Sequence, residues 1–239
     1  MRKQAMITGA SRGIGKMIAQ ALGKEGYDLT LTCASSFALL QKQAAEWEKA
    51  YGIRVQAFQA DVGSYEEMKA VFEQVERLDL LVNNAGISHV GLLSDMTKEE
   101  WERILAVNLS GLFHTCKFAV PKMVHDHSGR IINISSMWGN VGASMEVAYS
   151  ATKGGVNSFT KALAKELAPS NIAVNAIACG VVDTDMNKCF SAEDMEALRQ
   201  EIPADRIASP EEIAEAVVGL TKMPLYMTGQ ILTIDGGYC

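Results

Sequence analysis

Seven short apolar runs recur along the chain, and between them lie stretches whose apolar residues have helical spacing. The runs fall at 4–8 (QAMIT), 28–33 (DLTLTC), 54–58 (RVQAF), 79–83 (DLLVN), 130–135 (RIINIS), 172–177 (IAVNAI) and 230–234 (QILTI). Several are almost continuously apolar rather than alternating, as parallel strands covered on both faces should be. The helices announce their starts. Ser64 with Glu67 and Thr97 with Glu100 read as capping boxes, and Ser209 with Glu212 adds Pro210 at the first helical position. An alanine-rich helix is expected over 147–168. Repeated strand–helix alternation predicts an α/β fold, a doubly wound parallel sheet with right-handed crossovers. No linker, low-complexity stretch or internal repeat divides residues 1–239, so one domain is expected.

Composition narrows the function classes. With 239 residues, 48% of them hydrophobic, the chain can bury one sizeable core. A net charge of −6 and the lack of any basic run argue against a nucleic-acid partner. The first residues are basic, but no apolar signal segment or membrane-length apolar run follows, so a cytoplasmic protein with no membrane association is expected. Cys33, Cys116, Cys179, Cys189 and Cys239 are odd in number and form no CxxC pair, which argues against a disulfide framework and a structural zinc. His125 and His127 flank Asp126 beside Ser128 and Gly129, a turn-like stretch read as solvated loop, and no metal site is expected.

The chemistry gathers first after the opening strand. Residues 6–15 (MITGASRGIG) place Gly9, Gly13 and Gly15 between that strand and the next helix. Gly9 would make the tight turn, Gly13 would let backbone approach phosphate, and Gly15 would let helix and strand pack; Ile14 shares the turn. A strand-to-helix glycine turn is where an open α/β sheet seats a dinucleotide pyrophosphate. The spacing is GxxxGxG rather than GxGxxG, and a ligand-free turn is the alternative. The second strand ends in TCASS (32–36), without the carboxylate that holds a free ribose 2′-hydroxyl. Arg12, Ser11, Ser35 and Ser36 could surround a 2′-phosphate instead, so the expected cofactor is NADPH/NADP+.

A second pair stands one helical turn apart. Tyr149 and Lys153 are spaced i, i+4 and so share a helix face. An ammonium beside a phenol is expected to pull its pKa below the reference of about 10 and make it a general acid. The competing reading is a half-buried aromatic next to a solvated lysine.

Four stretches taken together, TGASRGIG (8–15), NNAG (83–86), NISS (133–136) with YSATK (149–153), and DGG near the end, closely resemble the short-chain dehydrogenase/reductase family. The resemblance runs the whole chain. It is nearest to the 3-oxoacyl-carrier-protein reductases across NLSGLFHTCK, AYSATKGGVNSFTKALAKELA and DRIASPEEIAEAV. It implies a single-domain Rossmann fold of about seven strands with helices on both faces. It also assigns roles. Ser136, thirteen residues before Tyr149, matches the serine that hydrogen-bonds the substrate carbonyl; Ser135 is the neighbouring alternative. Tyr149 matches the proton donor, Lys153 the residue that holds the nicotinamide ribose, and Asn108 the asparagine of a water relay. From its own residues, Asn108 reads as a helix-interior amide making local bonds.

The same resemblance places Asp61 and Val62 at adenine, Asn84, Ala85 and Gly86 along the ribose, and Val182 and Thr184 at carboxamide and phosphates. Residues 184–206 match a substrate lid, with Met186, Phe190, Met195 and Leu198 facing either substrate or core. A homotetramer is implied. Two departures stand out. Cys179 occupies a usual proline position, while Gly180 and Thr184 remain. His127 and Ser170 stand where carrier-protein reductases commonly have arginines, with Arg130 and Lys122 nearby; this weakens docking of an acidic acyl carrier protein. The implied activity is NADPH-dependent reduction of a ketone, the 3-oxo group of an acyl thioester first. A hydroxysteroid or other small secondary-alcohol dehydrogenase is the alternative, and a non-catalytic NADP(H)-binding regulator a third reading.

Overall fold

A computed structural model describes residues 2–239, Cys189 by its backbone alone. Seven strands form one parallel sheet: β1 (Gln4–Ile7), β2 (Asp28–Cys33), β3 (Val55–Gln59), β4 (Leu80–Asn83), β5 (Gly129–Ser136), β6 (Ile172–Cys179) and β7 (Ile231–Ile234). Their order is β3-β2-β1-β4-β5-β6-β7. Every expected strand is present within two residues of its predicted bounds. The order reverses direction between β1 and β4, and that is where an open α/β sheet leaves a crevice beyond its strand C-termini.

The period-2 alternation of side chains splits the core into two layers. Ala5, Ile7, Leu29 and Leu31 face α1 (Gly13–Lys24), α2 (Phe37–Tyr51) and a C-terminal helix (Pro210–Lys222) through Leu22, Leu40, Trp47 and Val217. Met6, Leu81, Ile131 and Val174 face the other layer. That layer holds α3 (Tyr65–Glu73), the helix Gly111–His125 and the helix Val147–Leu167, with Phe72, Leu112, Met123 and Leu167 packed inward. In chain order the remaining helices are α4 (Lys98–Leu105), α5 (Gly111–His125), α6 (Trp138–Val141), α7 (Val147–Leu167), α8 (Ala192–Glu201) and α9 (Pro210–Lys222).

A π-helical turn, Ala106–Ser110, joins α4 to α5. Within the joined run Lys98–His125 the most apolar 18-residue window has a mean hydropathy of 1.2, and half of that window is buried inside the fold.

Two predicted capping boxes form in full, at Thr97 and Ser209. The third is only half made. Ser64 accepts from the Glu67 backbone, but the Glu67 carboxylate accepts from the Asp61 N–H at 2.9 Å instead of returning to Ser64. The Ser64 N–H is already bonded to the Asp61 carbonyl, so the carboxylate takes the neighbouring donor. An unanticipated box starts α8, where Ser191 pairs with Asp194.

A buried polar ladder ties the sheet to both α5 and α7. Thr115 donates to Asn83 at 2.7 Å, Asn83 to Asn133 at 2.9 Å, and Asn133 to Thr160 at 2.9 Å. Each amide finds a partner, which is the condition for burying such groups without a large desolvation loss.

Candidate active site

A cleft of about 1110 Å³ opens over the C-terminal ends of the strands, roofed by residues 184–201. The sequence-predicted cofactor positions line it, except Ser36, which stands outside it at the start of α2. At its base, Thr8 Oγ1 accepts from the Asn84 and Ala85 N–H groups, both at 3.0 Å, and so locks the turn after β4 to the end of β1. Nothing local in the sequence marks Thr8 for this role, because its partners lie 76 and 77 residues away.

The glycine turn fits its expected work. A Cβ on Gly15 would meet the Gly9 carbonyl oxygen at 2.3 Å, so the helix can close on the strand only without one. Gly9 has φ +66°, a backbone region natural to glycine, and its missing Cβ leaves room for Ala85. Gly13 opens toward the cleft, where only Thr184 lies near, at 3.4 Å. No side chain caps the start of α1, leaving its first N–H groups for a ligand. A bare helix N-terminus behind an open glycine suits a diphosphate. These residues fit a dinucleotide cofactor.

At the far end of β2, Ser35 is exposed and carboxylate is absent from the 32–36 turn, as read from sequence. Arg12 lies over this end and reaches Asp185 at 3.9 Å; both are about half exposed, so the pair contributes little. Asp61 and Val62 follow β3. The Asp61 carboxylate is held on both oxygens, by the Gly63 N–H at 2.8 Å and by Arg103 at 2.7 Å. Arg103 also lines the cleft, and no sequence signal pointed to it, because it lies on α4, far along the chain from Asp61.

On the opposite wall, α7 and β5 bring Ser136, Tyr149 and Lys153 together, all buried. Ser136 lies within hydrogen-bonding reach of the Tyr149 phenol, and its Oγ accepts from the Trp138 N–H at 3.2 Å. Ser135, the alternative, is committed elsewhere: it donates to Asn157 at 2.7 Å. The structure therefore separates two adjacent serines that sequence alone could separate only by the family offset.

Lys153 Nζ donates to the Ile134 carbonyl at 2.9 Å and stands 5.6 Å from the Tyr149 ring centroid. The expected net lowering of Tyr149 is not found, because burial outweighs any help from the neighbouring ammonium. Burial pushes the phenol well above its ordinary value, and the Ser136 hydrogen bond offsets this only in part. Burial also lowers Lys153 to about 8, which leaves it mostly an ammonium at neutral pH. The phenol thus keeps its proton across the neutral range, the form a general acid requires.

Asn108 sits within the π turn, a feature that often marks functional sites. Its amide brackets Ile87, donating to the carbonyl at 2.8 Å and accepting from the N–H at 2.9 Å, and donates to Thr152 at 3.1 Å. It borders a small internal cavity beneath the cleft rather than the cleft itself. The bonds of its side chain are therefore tertiary, not the local ones that the helix-interior reading expected. Gly86 lies between Asn108 and Lys153, 3.4 and 3.5 Å from where a Cβ would stand.

Cys179 is buried at the cleft floor, and burial pushes its thiol up to about 12. Gly180 and Val182 carry the chain away through backbone pairs to Ile234 and Ala208. In the roof, Met186, Phe190 and Leu198 line the cleft, whereas Met195 faces a separate pocket of about 420 Å³ behind Gly13. Glu146, Glu201 and Asp194 also line the cleft, and Tyr238 bridges two walls by bonding Glu201 at 2.5 Å and meeting Trp138 edge-on.

His127 and Ser170 precede β5 and β6, at the strand ends opposite the cleft, where Asn171 donates to the His127 carbonyl. Arg130 is committed to the carbonyls of Leu220 and Met223.

A doubly wound sheet with a dinucleotide-sized cleft at its switch point is the architecture of the nicotinamide-dependent oxidoreductases. The chain belongs to the short chain dehydrogenases, whose family pattern matches residues 3–195. It is 39% identical over 240 residues to the uncharacterized oxidoreductase YmfI of Bacillus subtilis (strain 168), covering 100% of this chain and 99% of that one. It is also 39% identical to the 3-oxoacyl-(acyl-carrier-protein) reductase FabG of Aquifex aeolicus, covering 98% and 96%. The FabG of Staphylococcus aureus (strain Mu50) is 40% identical, with 99% and 98% covered.

Proposed function

We propose that this oxidoreductase reduces a ketone with NADPH, and that the 3-oxo group of an acyl thioester is its first-choice substrate. The observation carrying this reading is the buried Ser136–Tyr149–Lys153 set facing a cleft whose other end is an open glycine turn. A bound dinucleotide would be held by the glycine turn and the start of α1, by Ser35 and Arg12 at a 2′-phosphate, and by Asp61, Val62, Asn84, Ala85 and Gly86 along the adenosine. Gly180, Val182 and Thr184 would face its nicotinamide half. The cofactor supplies hydride to the carbonyl carbon.

The protein's own residues do the rest. Ser136 donates a hydrogen bond to the carbonyl oxygen, and as the C=O pair moves onto that oxygen Tyr149 gives it the phenolic proton. Lys153 holds the ribose and, as a nearby ammonium, favours the transient phenolate. Asn108 braces the turn at Ile87 and leads proton return from solvent. Residues 184–206 serve as a lid, with Met186, Phe190 and Leu198 against the substrate's apolar body. A single domain, a homotetramer and a cytoplasmic setting belong to the same reading; buried free Cys33, Cys116 and Cys179 suit a reducing compartment.

A small secondary-alcohol or hydroxysteroid substrate is the second reading. Its support is the acidic substrate end, where Glu146 and Glu201 would repel a phosphate-bearing thioester arm.

NADPH oxidation with acetoacetyl-CoA tests the first reading, with Tyr149→Phe as control. Turnover that falls about 10²–10⁴-fold in the variant, at unchanged NADPH binding, supports thioester reduction. No turnover with NADPH bound moves the substrate to the alcohols and steroids, and full activity in the variant overturns the mechanism.

A further inference from the structure

The adenosine end of the cleft holds a cation that the fold positions with some care. Arg103 leaves α4 toward β3 and meets Asp61 at 2.7 Å. Asp61 is fixed from its other oxygen by the Gly63 N–H. Gly63 matters for space: a Cβ there would stand 3.2 Å from the Arg103 guanidinium, tighter than ordinary contact. One helical turn on, Val107 lines the same cleft, so positions i and i+4 of the α4–π run form a wall facing Asp61 and Val62. The guanidinium is thus tethered at one corner, while its side chain remains about half exposed along the cleft.

We propose that Arg103 is an adenine-binding residue, contacting the base as a planar cation against its π face. Arginine suits this task because its guanidinium is flat, weakly hydrated and stacks on aromatic surfaces. The Asp61 pair does two things. It holds the plane in place, and it cancels the charge, so that the site selects for a base rather than for another phosphate. Arg12, in the glycine turn just before α1, remains the cation for the 2′-phosphate. The two arginines therefore divide the adenosine: one reads the base, which NADPH and NADH share, and the other reads the phosphate, which they do not. This rests on the dinucleotide reading of the cleft.

Direct binding of NADPH and of NADH, followed by the fluorescence of the reduced nicotinamide, tests the assignment without turnover. Arg103→Ala should weaken both nucleotides by the same factor, roughly fivefold or more. Arg103→Lys keeps an ion pair with Asp61 but not a plane, so it should recover little of the loss. Circular dichroism and a melting curve confirm that each variant is folded. Unchanged affinity in Arg103→Ala overturns the proposal. So does full recovery in Arg103→Lys, which would make Arg103 only a positioning residue for Asp61. A loss confined to NADPH would reassign it to the 2′-phosphate. If the unaltered protein binds neither nucleotide, the dinucleotide reading itself fails, and this inference with it.

Discussion

Tyr149 and Glu146 face one cleft, and their charges are coupled. Burial raises the Glu146 carboxyl above its ordinary value, while a hydrogen bond from Trp138 lowers it. Burial is the main cause that raises Tyr149, and the ionised Glu146 carboxylate adds a smaller rise. For ketone reduction the active form is the protonated phenol, so the rate falls as pH rises through the tyrosine's pKa. Removing the negative charge stabilises the phenolate and lowers that pKa. Glu146→Gln should therefore move the alkaline limb of the kcat profile to lower pH, with the fold intact. An unmoved limb would mean that Glu146 does not sense the phenol.

At the scale of elements, two local devices place the chemistry. The glycine turn lets α1 begin immediately above β1, and the π turn puts Asn108 where its amide can bracket Ile87. Gly15→Ala introduces a Cβ 2.3 Å from the Gly9 carbonyl, a clash with backbone that cannot rotate away. It should cost about 1–3 kcal/mol of stability, the range for overpacking, and weaken NADPH binding as the turn shifts. Urea denaturation with a parallel binding titration checks both effects. A variant as stable as the parent would mean that helix and strand can separate without loss. The half-formed box at Ser64 makes a related point. Its Glu67 turns to Asp61, so a capping motif there also fastens the turn after β3.

Across the whole molecule, the cleft draws on both halves of the sheet: in the proposed reading β2 and β3 would supply the adenosine end, and β4, β5 and β6 the reacting end. A ligand spanning both halves binds only the assembled fold. At 100-fold excess over its Kd it stabilises by about 2.7 kcal/mol, which should raise the melting temperature by roughly 5–10 °C. NADPH should give a larger shift than NADH at equal concentration. Ser35→Asp should reverse that order, because a carboxylate repels the 2′-phosphate and accepts from a free 2′-hydroxyl. Equal shifts for the two nucleotides in the unaltered protein would contradict the NADP(H) assignment.

Much of this protein is legible before any folding is considered. Short apolar runs, several of them near-continuous, marked the seven parallel strands, and capping residues marked three helix starts, because both signals are local in the chain. The glycine spacing and the Tyr149–Lys153 pair were likewise local, and they mark two walls of one cleft. What tertiary structure alone decided depends on groups distant in sequence. It gave the Ser135 hydroxyl to Asn157, and it turned Met195 away from the cleft while leaving Met186, Phe190 and Leu198 in it. It brought Arg103 to Asp61 and Thr8 to the turn after β4. It also reversed the expected shift at Tyr149. A charge four residues away can be read from sequence, but desolvation depends on everything packed around the phenol, and only the folded chain contains that.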